Sequence, residues 1–382
     1  MDYLHVEVEV AASPKRAGSV SGDLVKVVRS PGWTTVICCD GMGSGIRANV
    51  AATLHATRLL ELENQGFSLR DAFGRVVQTI HQGRGKNSTY AALSVARIMH
   101  SGETTVLTYD MAAPIHAAKL HASLLPQRLF HADDAQLGET NFRLADGEGL
   151  ILVSDGITQA GIGTDFVYGW GIENVAAFLD SLLARRVPTE ALPGEVRERA
   201  AKYWGDSLGD DCTVVLVRCR PGNDLSIMTG PPLDPAMDAE VVDRFLAGPG
   251  WKVVCGSTTA DIVARQLGQF PDMDRDDHSL VAPPSYRVEG IDLVTEGAIT
   301  MMQAYNILEE DPSRYEERSG VTQLCDLLRA ADRIHFYVGT AANPAHRSIA
   351  FQQKGILPRT RSVPLISDLL TKAGKLVIVE TA

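Results

Sequence analysis

A chain of 382 residues with 45% apolar and 22% charged residues and no low-complexity tract has the composition of a folded globular protein, and its length suits two domains. Its formal net charge of -11 disfavours general attraction to nucleic-acid backbones or acidic lipid, so neither nucleic acid nor a membrane is an expected partner. No run reaches the roughly 18 apolar residues of a membrane span.

The start, MDYLHVEVEVAASPKR, alternates apolar and acidic residues like an edge strand and lacks the basic, apolar, small-residue order of a secretion signal. Strand-like runs follow at GDLVKVVRS, WTTVICCD, TYAALSVARIM, TTVLTYDM, HAAKLHA, GLILVSDG and CTVVLVRC, β-branched and bounded by turn residues. Several are adjacent and hairpin-like, which predicts antiparallel sheets. Helical spacing predicts helices from about Ile46 to Asn64, carrying Ile46, Val50 and Leu54, then from about Leu69 to His81 and from about Ile172 to Ala184. Many strands with a few inserted helices make an α+β sandwich, sheet on sheet with helices outside.

After CTVVLVRCRPGND the rhythm changes. Strand-like LSIMTG, KVVCG, GIDLVTEG, RIHFYVG and KLVIVE now alternate with helical stretches, an α/β pattern. The switch at Arg220-Pro221-Gly222-Asn223 sets the expected boundary, with one domain over 1–222 and a smaller α/β domain over 223–382. The six cysteines (Cys38, Cys39, Cys212, Cys219, Cys255, Cys325) have no C-x-x-C pair and mostly lie in apolar runs. They read as core residues of a reduced, cytoplasmic protein, and no histidine partner is suggested that would make one catalytic.

Four acidic motifs stand at strand ends in the first part: Gly22-Asp23, Asp40-Gly41, Asp155-Gly156 and Asp210-Asp211. Taken singly, an Asp-Gly is a turn signal. Taken together the four are costly, since two like charges about 4 Å apart repel by about 4 kcal/mol at an effective dielectric near 20. Hard divalent cations resolve that repulsion, because magnesium and manganese take carboxylate, carbonyl and water oxygens, and a glycine after an aspartate can aim a carbonyl at the ion. The run DGMGSGIRANVAATLHATRLL opens a glycine-rich turn straight into a long helix whose N-terminus favours an anion, with Ser44 as a helix cap on the plainer reading.

The order S-G-D, D-G-M-G-S-G, S-D-G and D-D-x-T-V-V resembles the metal-dependent protein phosphatases of the 2C type, in particular the bacterial branch typified by the stage II sporulation phosphatase E. The resemblance covers about residues 1–222 and includes MAAPIH at Met111–His116, placed where that branch has a small-residue and proline turn. It implies that Asp40 bridges two cations, Mn2+ or Mg2+, with Gly41 giving a carbonyl and Asp155 and Asp210 the remaining acidic ligands. Asp23 and Asp211 complete the implied metal set, Asp23 matching an acid that orients metal-bound water and Asp211 occupying a place that is often asparagine in distant relatives, where it could instead only shape the turn. Met42 stands where eukaryotic members carry histidine, and Gln159 where the branch often has glutamate. The residue that grips substrate phosphate is open among Lys15, Arg16 and Arg47.

The second domain repeats glycine-rich or small-residue loops after its strands: Thr229-Gly230-Pro231-Pro232, Cys255-Gly256-Ser257-Thr258-Thr259, Thr295-Glu296-Gly297 and Gly339-Thr340-Ala341-Ala342-Asn343. Open α/β sheets bind ligands at such ends, and the loop at Gly256 could cradle a phosphate or carboxylate, or Ser257 or Thr258 could simply cap a helix. Neither a P-loop lysine nor G-x-G-x-x-G is present, so ATP and NAD are not expected. Asp272, Asp274, Asp276 and Asp277 read as a charged surface loop.

The leading expectation is a cytoplasmic phosphatase acting on phosphoserine or phosphothreonine of a regulatory protein, with the resemblance implying an anti-sigma-factor antagonist as substrate. A rival is a non-catalytic phosphatase-fold scaffold whose second domain binds a small anionic ligand; intact Asp40, Asp155 and Asp210 argue against it. A third makes the second domain an enzyme on a small metabolite, for which Glu296, His335 and His346 are the available acid/base groups. A homodimer through a phosphatase-domain helix is compatible with the sequence and not required by it.

Overall fold

The computed structural model describes residues 3–83, 90–205, 209–269, 272–273, 286–315, 319–341 and 357–382. Asp274, Asp276, Asp277, Ala342, Asn343 and His346 lie outside the described residues. The chain divides into two compact units, Met1–Pro221 and Gly222–Ala382.

The first unit runs β1 (Leu4–Ser13), β2 (Asp23–Arg29), β3 (Trp33–Gly41), α1 (Ile46–Asn64), α2 (Leu69–Gly83), β4 (Ala91–Met99), β5 (Glu103–Tyr109), β6 (Ile115–Ala117), β7 (Ala122–Leu124), β8 (Arg128–Ala132), β9 (Ala135–Arg143), β10 (Gly149–Val153), α3 (Asp155–Thr158), α4 (Ile172–Ala184), α5 (Leu192–Trp204) and β11 (Cys212–Pro221). The strands form two sheets, β1-β11-β10-β6-β7 and β2-β3-β4-β5-β9-β8, and every pairing within them is antiparallel.

Strand β3 shows why the sheets stack as they do. Its side chains alternate faces, and both faces are apolar. Val36 and Cys38 join Val6, Ile98, Leu152, Val215 and Val217 between the sheets, while Ile37 and Cys39 face outward onto Leu59, Phe73, Val76 and Ile80 of α1 and α2. The outer face of the other sheet is covered in the same way, Ile151, Val214 and Leu216 meeting Val175, Leu179 and Val196 of α4 and α5. The result is the expected α+β sandwich, two antiparallel sheets between two helical layers. All six cysteines are buried and free, as the apolar runs suggest.

Helix α1 differs from its sequence signature. Its buried side is Ala48, Ala51, Ala52, His55, Ala56, Leu59 and Leu62. Ile46, Val50 and Leu54, whose spacing marks the helix, are 70%, 56% and 52% exposed. Small residues on the inner face let the helix backbone lie directly against the end of β3, a closeness no larger side chain permits. HAAKLHA is also not one strand: Ala118 N–H donates to His121 carbonyl at 2.8 Å, and the run folds back as the β6–β7 hairpin.

The second unit carries β12 (Asp224–Thr229), β13 (Trp251–Cys255), β14 (Asp272–Met273), β15 (Tyr286–Arg287), β16 (Leu293–Thr295), β17 (Arg333–Val338) and β18 (Leu376–Thr381), in the sheet order β14-β15-β16-β13-β12-β17-β18. β16, β13, β12, β17 and β18 are mutually parallel, and β15 joins them antiparallel. Helices over 238–247 and 257–266 cover one face and helices over 297–307, 320–330 and 359–372 the other, so the strands are apolar on both sides. No helix among the described residues is long and apolar enough to cross a membrane.

Candidate active site

The four acidic motifs lie at ends of strands drawn from both sheets of the first unit. Asp23 begins β2 and pairs in register with Asp40, next to last in β3. In the other sheet β10 and β11 are neighbours, so Asp155, just after β10, and Asp210-Asp211, just before β11, emerge side by side. The two pairs meet: the Asp40 and Asp155 carboxyls share a hydrogen bond, and Asp210 lies close enough to raise the pKa of both.

The glycines of these motifs are there for proximity. Neither Gly41 nor Gly156 has positive φ, so neither is the turn glycine that an Asp-Gly pair suggests. A Cβ on Gly41 would stand 2.0 Å from the Ala48 carbonyl oxygen of α1, and one on Gly156 would stand 2.2 Å from that of Asp211. Positive φ enters only afterwards, at Gly43 (96°) and Gly45 (75°), which turn the chain into α1. Gly45 is the N-cap residue, and no side chain, Ser44 included, caps this helix.

Gathering the acids has an electrostatic consequence. Burial pushes Asp40 up to about 9, with the charges of Asp23 and Asp155 adding to it. Asp23 is raised to about 7, again chiefly by burial, against the pull of the nearby Thr213 and Ser154 hydroxyls. Neither hydroxyl closes a hydrogen bond of good geometry, and both Asp23 oxygens are buried without a partner among the described residues. Asp155 is raised by burial and eased by hydrogen bonds from Asp40 and from Gln159, whose Nε2 donates to Oδ2 at 2.9 Å.

Asp211 behaves differently. Its two oxygens accept the backbone N–H groups of Lys15 (2.6 Å) and Gly22 (2.7 Å), fastening the segment before β2 to the start of β11. Asp210 Oδ1 accepts the Asp211 N–H at 3.0 Å and faces the Lys15 ammonium at 3.7 Å. Of the three basic candidates, Lys15 reaches the acids, whereas Arg16 and Arg47 are exposed. Met42, two residues after Asp40, is exposed.

The donor set is all oxygen, suited to a hard divalent ion, and the orphaned Asp23 oxygens and the mutually repelling Asp40 and Asp155 carboxyls are what such an ion would satisfy. The acids converge without forming a closed cage: among the described residues no three acidic, histidine or cysteine side chains are placed to hold one ion together. Several supporting groups carry no sequence signal of their own. Ser154 Oγ accepts the Thr213 N–H at 2.9 Å, tying the two strand ends together. Trp204 Nε1 donates to the Gly156 carbonyl at 2.9 Å.

In the second unit, Gly256 rather than Ser257 or Thr258 is the N-cap of the helix Ser257–Gln266, with no side-chain cap. Thr259 Oγ1 instead accepts the Gly230 N–H at 2.9 Å. Glu296 is the N-cap residue of the next helix, with no side-chain cap bond, while His335 pairs with Glu380 at 3.0 Å. A cavity of about 510 Å³ opens at the opposite, amino ends of β13 and β16, lined by Trp251, Leu293, Tyr315, Asp326 and Arg329 among others.

The model of the family described as Stage II sporulation protein E (SpoIIE) matches residues 30–220. No curated protein matches the chain. Among solved structures, the phosphatase domain of the cell fate determinant SpoIIE from Bacillus subtilis is 18% identical, the match covering 58% of this chain and 95% of that one with a TM-score of 0.43. The RsbU and RsbW domains of a Mycobacterium tuberculosis protein are 18% identical, over 69% of this chain and 73% of that one, with a TM-score of 0.48. The SiaA-PP2C domain of Pseudomonas aeruginosa is 15% identical, over 55% of this chain and 84% of that one, with a TM-score of 0.45.

Proposed function

Because the chain belongs to the Stage II sporulation protein E family, within the phosphatases of the 2C type, we propose that its first unit is a metal-dependent serine/threonine protein phosphatase acting on a phosphorylated regulatory protein. The observation that carries this reading is the meeting of acid-bearing ends from both sheets, with Asp40 and Asp155 close together and Asp23 buried without a partner among the described residues. The ligand set we assign is Asp40, the Gly41 carbonyl, Asp155 and Asp210, with Asp23 beside them and Asp211 holding the Lys15–Gly22 segment in place. When bound, two Mg2+ or Mn2+ ions would supply an activated water and neutralise the phosphoryl oxygens.

The chain's own groups fit a reaction with no protein nucleophile. The thiols nearest the acids are held protonated: burial raises Cys38 and Cys39, and pushes Cys212 up to about 12. The Lys15 ammonium, 3.7 Å from Asp210, is the one basic group of the three candidates in reach of a phosphoryl group at these acids. Met42, which has no titratable proton, supplies none to the leaving oxygen. An anti-sigma-factor antagonist is the substrate class we assign from the family alone, and a ligand-sensing role is the one we assign to residues 223–382.

The test is hydrolysis of p-nitrophenyl phosphate and a phosphothreonine peptide, with manganese and with chelator, by the wild type and by Asp40→Asn and Asp155→Asn. Turnover that needs metal and is lost in both variants is expected. The unclosed arrangement of the acids favours a second reading, a phosphatase-fold scaffold. Absence of both turnover and metal binding by calorimetry would select it.

A further inference from the structure

Helix α3 is a single turn, Asp155–Thr158, and it begins at one of the assigned metal ligands. So short a helix cannot satisfy its own carbonyls, and each must find a partner elsewhere. The Asp155 carbonyl accepts Gln159 N–H at 2.7 Å, that of Ile157 accepts Ala160 N–H at 3.3 Å, and that of Thr158 accepts Gly171 N–H at 2.8 Å. Gly156 has no such backbone donor among the described residues. Its carbonyl takes Trp204 Nε1 at 2.9 Å and the Cys212 thiol at 3.3 Å.

The same indole supports the other acid-bearing loop. A Cβ on Gly209 would fall 2.9 Å from the Trp204 ring, so the residue before Asp210 lies flat on the indole. The two loops also touch each other, as the 2.2 Å approach of a Gly156 Cβ to the Asp211 carbonyl shows. Trp204 is the last residue of α5. Its neighbour Tyr203 packs edge-on against Trp170 and Phe166, anchoring the end of that helix.

We propose that Trp204 is a positioning residue of the metal centre, holding Asp155 and Asp210 at a common spacing through the Gly156 carbonyl and the Gly209 backbone. The proposal rests on the phosphatase reading. It assigns to the indole N–H a task that ring packing alone cannot perform, so phenylalanine should not replace tryptophan here. Outer partners that orient metal ligands typically change metal affinity by about 10- to 100-fold when removed.

Three full-length variants test it by manganese calorimetry, melting in chelator, and turnover against manganese concentration. Trp204→Phe keeps a ring on Gly209 and removes the donor; Trp204→Ala removes both; Trp170→Phe alters the aromatic cluster away from the acids. Trp204→Phe is expected to weaken manganese binding about tenfold with little change in the chelated melting temperature, turnover recovering as manganese is raised. Trp170→Phe is expected to lower melting without moving manganese affinity. Unchanged affinity in Trp204→Phe, or a loss that tracks melting across all three variants, would overturn the positioning role while leaving the phosphatase reading intact. No manganese binding by the wild type would bring down both.

Discussion

At the scale of single residues, the site is a set of groups held where none would settle alone. Asp23 is the plainest case, a carboxylate 9% exposed, with two oxygens unpartnered among the described residues and a pKa raised to about 7. A folded-state pKa this far above the ordinary carboxylate value means that ionised Asp23 opposes folding at neutral pH, by an amount on the order of 1–4 kcal/mol. Asp23→Asn should therefore raise the melting temperature of the chelated protein at pH 7.5 while lowering phosphatase turnover by more than about tenfold. A variant that melts lower than wild type would show that the carboxylate has a stabilising partner. Gly41→Ala should behave oppositely: its Cβ would meet the Ala48 carbonyl oxygen at 2.0 Å, and overpacking against backbone costs on the order of 3 kcal/mol. Gly43→Ala, with nothing within 4 Å, has only its positive φ to oppose it, about 1 kcal/mol. Urea melts of the two variants compare them directly.

At the scale of elements, α1 separates what sequence periodicity can tell from what it cannot. The helix was legible over Ile46–Asn64, but the Ile46, Val50 and Leu54 stripe that marks it faces outward. Alanines make contact by being small, a closeness that hydrophobicity does not register; they bring the helix onto Gly41 and so place Asp40. Replacing Ile46, Val50 and Leu54 together by serine should leave the chelated melting temperature within a few degrees, since exposed substitutions usually stay within about 0.5 kcal/mol each. Leu59→Ala, fully buried under the sheet, should cost about 2–5 kcal/mol. The acid motifs were legible because each couples Asp to an apolar strand, and the antiparallel strand pairs explain why they meet. Other elements gave weaker signals. The hairpin Arg128–Arg143 turns at Asp133-Asp134 between mixed polar runs, and the first turn of α5 carries Pro193-Gly194, which reads as a turn although proline is well tolerated in a helix's first turn. Trp204 had no motif at all, because its role depends on an orphan carbonyl created by the one-turn length of α3.

At the scale of the whole molecule, the acids tie the stability of the fold to pH and metal together. Asp23, Asp40 and Asp155 all have folded-state pKa values raised above the ordinary carboxylate range. These three acids therefore hold more protons in the folded protein than in the unfolded chain between about pH 4 and 9, and their contribution to the unfolding free energy falls as pH rises across that interval. Their favourable contribution is complete below the unfolded pKa of 3.8 and is lost as pH climbs through about 7 for Asp23 and about 9 for Asp40. A cation bound by the same oxygens replaces the missing protons, so its stabilisation should grow with pH, adding to the ordinary mass-action gain. Melting curves with chelator and with excess magnesium, taken from pH 5.5 to 8.5, read both effects. The chelated curve should decline across the series while the magnesium curve stays flatter, the gap widening toward pH 8.5. In Asp40→Asn the gap should shrink at every pH. A gap that is constant with pH, or a chelated protein that grows more stable as pH rises, would mean that the acids are not gathered as described, because isolated surface carboxylates titrate well below this range.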